Sequence, residues 1–249
     1  MSQELDAPSG ALAPESVVRL DVGGVTAVTW TCTPANLPEL AVGWLVSEGI
    51  AEGLDDVCEL TVVESAGTHP IVAIELFAEA DARLWNEVRS AGRSAAWLAG
   101  AVEVRGVGRR RIESEPDLRR FLESSRIREL FGEMFEAASL RTAVGGVHTG
   151  GLVREGQLLS VVEDVSRHHV VDRLVGRAVL DGRGPGGDVF LLSSRISGAM
   201  AAKACRAGIG ALVSRSVPTE LAASVAARCG LVLMGRARGD NRFIHWPAP

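Results

Sequence analysis

No C-x-x-C occurs anywhere in the 249 residues, and none of the five histidines is followed two positions later by glutamate. Tetrahedral zinc sites draw on thiolates and imidazoles at short spacings, and zinc deaminases need H-x-E together with P-C-x-x-C. The segment Pro218-Thr219-Glu220-Leu221-Ala222 has no thiolate to offer. Neither protein-bound zinc nor deamination is therefore expected. Four widely spaced cysteines, Cys32, Cys58, Cys205 and Cys229, read as small buried hydrophobes. No apolar run reaches the roughly 18 residues that a membrane-spanning helix requires. The start lacks the basic and apolar regions of a secretion signal, so residues 1–15 read as a disordered tail and the cytoplasm as the compartment. A net charge of −5 gives no cause to expect nucleic acid or a membrane surface as partner, although a local basic pocket is compatible with it. Repeats and low-complexity segments are absent.

What is present suits a folded α/β chain. Apolar residues make up 47% and charged residues 23%, and the length allows one large domain or two modest ones. Three short apolar runs, 189–193, 209–214 and 231–235, read as buried strands bounded by turn residues. Helical patterns separate them. The first, 197–207, stops at Gly208, and the second starts at Pro218 and stops at Gly230. Strand-helix alternation of this kind implies parallel strands joined by right-handed crossovers.

The residues after each run carry the chemistry. Ser193-Ser194-Arg195-Ile196-Ser197 follows the first, Ser214-Arg215-Ser216-Val217-Pro218-Thr219 the second, and Gly235-Arg236-Ala237-Arg238-Gly239-Asp240-Asn241-Arg242 the third. Ligands of open parallel sheets bind at the carboxyl ends of the strands. That edge gathers five arginines, five serines and two helix N-termini, a combination suited to phosphate or pyrophosphate. The competing reading has the serines capping helices and the arginines in solvent.

Upstream, 163–173 reads as another helix start, with Glu163 four residues before Arg167 and His168 flanked by Asp164 and Asp172. Spacing alone describes a salt-bridged face on which the carboxylates raise the histidine pKa. His148 lies among glycines in Gly145-Gly146-Val147-His148-Thr149-Gly150-Gly151, a predicted loop where it is either structural or close to a ligand. Towards the N-terminus the pattern predicts a hairpin over 17–32 turning at Gly23-Gly24, then a helix over 37–47 capped by Thr33 or Asn36. Strands over 58–63 and 71–77 and a helix over 79–89 come next. A basic turn over 102–111, helices over 114–122 and 127–138, and a hairpin turning at Glu155-Gly156 complete the reading.

Several of these segments together resemble the FdhD family, the formate dehydrogenase accessory sulfurtransferases. They are 38–50 (PELAVGWLVSEGI), Gly146-Val147-His148, 162–168 (VEDVSRH), Asp172-Arg173, Ser194-Arg195-Ile196-Ser197, Lys203-Ala204, Ala207-Gly208, 214–219 (SRSVPT) and Arg238-Gly239. The likeness covers most of the chain beyond the tail, is specific in the C-terminal half and is weaker across 51–140. It implies a small α+β N-terminal domain over 16–111 followed by a cytidine-deaminase-like three-layer α/β/α domain over 112–249. FdhD proteins carry a C-G-x-C-G-like motif on a loop between the domains, and here Ala96 and Ala99 stand in its place. Persulfide transfer needs a thiolate, which alanine cannot supply, so no catalytic residue is assigned.

The resemblance implies a maturation factor for formate dehydrogenase that carries sulfur from a cysteine desulfurase to the molybdenum cofactor. The alternative is a non-catalytic relative that binds or delivers the cofactor. The implied ligand is bis(molybdopterin guanine dinucleotide), or its guanine nucleotide part. Arg195, Arg215, Arg236 and Arg238 would neutralise phosphates, and Ser194, Ser197, Ser216 and Thr219 would donate hydroxyls. His168 and Asp172 would orient those groups from the neighbouring helix, and Arg167, His148, Gly235, Ala237, Gly239 and Asp240 complete the implied cofactor-binding set. A homodimer working with a cysteine desulfurase and a formate dehydrogenase or related molybdoenzyme is the implied assembly.

Overall fold

The computed structural model of the chain describes residues 12–63, 69–90, 115–239 and 242–246. Ala96, Ala99, the basic segment 102–111, the expected boundary at 111/112 and Asp240 lie outside the described residues.

The N-terminal hairpin forms as its alternation predicts. β1 (Ser16–Val22) and β2 (Val25–Cys32) meet through Gly23 and Gly24, whose φ values of 56° and 77° are those a tight hairpin turn needs. α1 (Leu37–Ser47), β3 (Val57–Val63), β4 (Ile71–Leu76) and α2 (Ala78–Ser90) follow. β4 lies parallel to β1, giving a four-stranded sheet in the order β2-β1-β4-β3. Neither expected cap closes α1. Asn36 is left-handed (φ 48°, ψ 46°) without a side-chain cap bond, and the Thr33 hydroxyl instead accepts the Val165 N–H at 3.1 Å.

The second half begins with α3 (Glu115–Glu123), α4 (Arg126–Glu136) and α5 (Ser139–Val144), and then the hairpin β5 (His148–Arg154) and β6 (Gln157–Asp164). α6 (Arg167–Leu180) leads into β7 (Val189–Leu192), α7 (Gly198–Arg206), β8 (Ala211–Ser214), α8 (Glu220–Cys229), β9 (Val232–Gly235) and β10 (Phe243–His245). The six-stranded sheet runs β10-β9-β8-β7-β5-β6, with β7, β8 and β9 parallel as expected and the outer pairings antiparallel.

Both faces of this sheet are covered, which is why its central strands read as unbroken apolar runs. Val189, Leu191, Val213 and Met234 pack with Ile127, Leu130 and Met134 of α4. Phe190, Leu192, Leu212 and Leu233 point the other way, toward Val171, Leu174, Met200 and Val225 of α6, α7 and α8. The result is the expected three-layer α/β/α arrangement. The second core does not stop there. It continues through α1 to Val18, Leu20, Val72 and Ile74 of the smaller sheet, so one apolar core joins both sheets.

α1 and α6 cross at two glycines. A Cβ on Gly43 would overlap the Asp172 carbonyl, and one on Gly176 would overlap the Glu39 carbonyl. Beside this crossing Arg173, 2% exposed, donates Nε to Asp164 (2.8 Å) and its other nitrogens to the carbonyls of Thr33 (2.6 Å), Ala35 and Asn36 (3.1 Å).

Other sequence expectations are corrected. Pro218 does not open α8: it is extended and bridges Ile196, Thr219 N–H bonds the Ile196 carbonyl at 3.0 Å, and the Thr219 hydroxyl caps the helix. The helix expected over 127–138 ends at Glu136, and the chain turns into α5. Glu163 and Asp164 end β6 rather than starting a helix, so no i, i+4 pair with Arg167 forms. The Glu163 carboxylate instead accepts the N–H groups of Leu140 (2.8 Å) and Arg141 (2.7 Å) at the start of α5. His148 begins a strand and is not in a glycine loop. Cys58 is exposed, and Cys205 and Cys229 are joined by a disulfide. No helix among the described residues is long and apolar enough to cross a membrane.

Candidate functional site

β5 is antiparallel to β7, so its first residues lie at the edge where β7, β8 and β9 end. α6, α7 and α8 all begin at that edge, one helix more than the sequence pointed to. Backbone and hydroxyl bonds lock the loops there. Ser193 N–H donates to the Thr149 carbonyl (2.9 Å), and its hydroxyl accepts the Thr149 N–H (2.9 Å). The buried Ser214 hydroxyl donates to the Ser194 carbonyl (2.6 Å) and accepts the Ser216 N–H (2.8 Å). Arg236 and Ala237 donate N–H groups to the carbonyls of Ser216 (2.6 Å) and Ser214 (3.0 Å). Three loops distant in sequence are thus one ordered rim.

Two clusters of basic side chains stand on this rim. In the first, Arg167 and His168 open α6 beside His148, and His168 Nε2 lies 3.2 Å from the Ser197 hydroxyl that caps α7. Arg167 Nε is buried without an acceptor among the described residues. In the second, the guanidinium carbons of Arg215 and Arg141 lie 4.8 Å and 5.0 Å from the centre of the Phe135 ring. Burial, then Arg238, then Arg141 make Arg215 less able to hold its charge than usual. Burial, then Arg167 and Arg141, lower His148, so Arg141 faces both clusters. Among the described residues no carboxylate pairs with Arg141, Arg167, Arg195, Arg215, Arg236 or Arg238. Elsewhere the buried cations are matched: Arg154 with Asp188, Arg173 with Asp164, and Lys203 with Glu48 and Asp172. A rim of unmatched guanidiniums and free helix N-terminal N–H groups suits an anion.

The sequence-predicted residues divide. Arg167, His168, His148, Ser197, Arg215, Ser216 and Arg238 are brought to the rim, with Ser194, Arg195, Thr219, Arg236 and Gly239 on its outer loops. Asp172 is not. It is fully buried beneath the rim, accepting the Ser47 hydroxyl at 2.5 Å and Lys203 Nζ at 2.7 Å. Ala237 is buried in the core, and Gly235 is required by packing, because a Cβ there would press on Phe243 and Pro218. Ser197 and Thr219 use their hydroxyls as helix caps. Sequence reasoning missed Arg141, which arrives from α5, and Phe135, which arrives from α4.

The expectation for His168 is reversed. Burial first, then Arg167 and Lys203, lower its pKa from the ordinary 6.5 to about 4, outweighing Asp172. Asp172 has already spent its charge on Lys203. The imidazole is neutral at pH 7. Because the folded pKa is depressed, this histidine's contribution to stability is complete above 6.5 and is lost as pH falls toward 4, where the unfolded chain takes up the proton first. An NMR titration should place the His168 midpoint near 4, and a midpoint above 6.5 would show that the carboxylates prevail after all.

The FdhD/NarQ family model matches residues 13–246. The chain belongs to this family. Among FdhD/NarQ relatives, a protein of Streptomyces avermitilis named sulfur carrier protein FdhD is 33% identical, over 94% of this chain and 86% of its own. The relative of the same name from Bordetella petrii is 32% identical over 95% and 85%, and that from Listeria innocua 28% over 94% and 89%. A crystal structure described as a formate dehydrogenase accessory protein of Desulfotalea psychrophila superposes with a TM-score of 0.69. It is 21% identical and covers 96% of this chain and 88% of its own, which establishes the shared fold.

Proposed function

We propose that this protein binds a nucleotide-bearing molybdenum cofactor, bis(molybdopterin guanine dinucleotide) or its guanine nucleotide part, in the maturation of a formate dehydrogenase or related molybdoenzyme. One observation carries the reading: the partly buried rim cations Arg167 and Arg215 have no described carboxylate partner, with Arg167 Nε buried and without an acceptor, while Arg154, Arg173 and Lys203 elsewhere are each matched. The bound cofactor would supply the redox-active metal of the client enzyme. The chain's own part is to hold it: Arg215, Arg238 and Arg141 would neutralise phosphate charge, and the first N–H groups of α7 and α8 would donate to phosphate oxygens. Neutral His168 would orient the Ser197 hydroxyl. The reading includes a cytoplasmic homodimer, by likeness to the family.

Calorimetry with guanosine diphosphate should show binding that weakens as salt rises, because charge-assisted contacts dominate. Arg215→Ala or Arg238→Ala should each cost about 1.5–3 kcal/mol of binding. Absence of heat with guanine nucleotides and with pterin cofactor would refute the proposal.

Sulfur carriage is the second reading, favoured by the names of the relatives. The described thiols offer it little. Burial, reinforced by Asp164, pushes Cys32 up to about 11, and Cys205 and Cys229 are bonded to each other. Cys58 is exposed but stands alone on β3. A cysteine desulfurase with cysteine and a persulfide label should therefore leave the disulfide-bonded chain unlabelled, and stoichiometric labelling at any one cysteine would restore the sulfur carrier.

A further inference from the structure

We propose that Cys205 and Cys229 form a redox modification site, a dithiol that low-molecular-weight disulfides oxidise to a clamp between the ends of α7 and α8. The two residues come from different helices, 24 positions apart, with Cα atoms 5.9 Å apart, a separation that a disulfide spans. α7 and α8 already touch at their other ends, where Leu221 packs so tightly on Gly198 that a Cβ on the glycine would overlap it. The bond therefore fastens the end of the helix pair that lies away from the rim, while this contact and the backbone bonds between Ile196 and the 217–219 segment hold the rim end.

Burial sets the order of the chemistry. Cys205 is 3% exposed, whereas Cys229 is half-buried at the end of α8. The Cys229 thiolate attacks the small disulfide R–S–S–R, forming Cys229–S–S–R and releasing R–S⁻. Cys205 then attacks the Cys229 sulfur and expels the second R–S⁻. The two thiol protons of the protein end on two molecules of R–SH. Two electrons have passed from the dithiol to the small disulfide, and excess thiol reverses both steps.

The test uses the whole chain, reduced or treated with oxidised glutathione. Denatured samples should show at most two free thiols after oxidation, the buried Cys32 and whatever fraction of the exposed Cys58 glutathione has not capped, and four after reduction. Peptide mapping should join Cys205 to Cys229. The oxidised form should melt about 5–10 °C higher, because the bond restricts the unfolded chain. Cys229→Ser should melt at the reduced temperature with or without thiol. Four free thiols after oxidation, a Cys32–Cys58 link, or equal melting temperatures of the two forms would each overturn the proposal.

Discussion

Gly176→Ala should yield a chain with little or no folded population at room temperature. The methyl group would enter the Glu39 carbonyl of α1, and the obstacle is backbone on both sides, so no rotamer change relieves it. The helices would have to separate along their crossing and loosen Leu40, Val171 and Val175 together. Overpacking that side chains can absorb costs about 1–3 kcal/mol, and a backbone clash at a fully packed crossing should exceed it, at about 4 kcal/mol or more. Gly43→Ala, which meets the Asp172 carbonyl, should behave alike. As a control, Gly132→Ala on α4 has open space around its Cβ and should keep native stability. Urea unfolding followed by circular dichroism decides the matter: a Gly176→Ala protein as stable as the parent would mean that α1 and α6 do not cross here.

Arg173→Met should be nearly as damaging. The substitution keeps much of the volume but removes the donors that serve Asp164 and the carbonyls of Thr33, Ala35 and Asn36. Asp164 is fully buried and would lose its guanidinium, keeping only the Ser166 N–H and the nearby His169 ring. Breaking a buried pair from one side costs about 3–5 kcal/mol. Arg173→Lys should recover only part of this, since a single ammonium cannot span both the carboxylate and the turn at 33–36. The double variant Arg173→Met with Asp164→Asn separates charge from hydrogen bonding. If it is no more stable than Arg173→Met alone, the carbonyls rather than the carboxylate dominate the loss.

These residues also show where the sequence could be read and where it could not. β7, β8 and β9 were legible because a strand buried on both faces must be apolar throughout and must end at turns, and both signals are local. The rim followed, since parallel order fixes which loops share an edge. Asp172 was misread because spacing placed it one turn from His168, whereas the partner that claims its charge, Lys203, sits on another helix. His168 went astray for the same reason. Neighbouring carboxylates are visible in the sequence, but burial and the charge of Lys203 are not. Arg173 gave no sign of its importance, since its backbone acceptors lie about 140 residues away and carbonyls carry no sequence signature. The pairing of Cys205 with Cys229 was hidden in the same way, because each lies at the end of its own helix.

If the rim binds phosphate as proposed, Phe135 would bear on speed as well as affinity. A free arginine side chain samples many rotamers, and ordering one on binding costs about 0.5–1.5 kcal/mol. Arg141 and Arg215 are already stacked against one ring, which is itself propped by Phe131 at 6.3 Å between centroids. An arriving phosphate would meet two guanidiniums whose conformational freedom was surrendered during folding. Capture would then proceed by diffusion into a preset charge pattern, with no search by the side chains, and the ring that makes no contact with the phosphate would still govern how fast it is held.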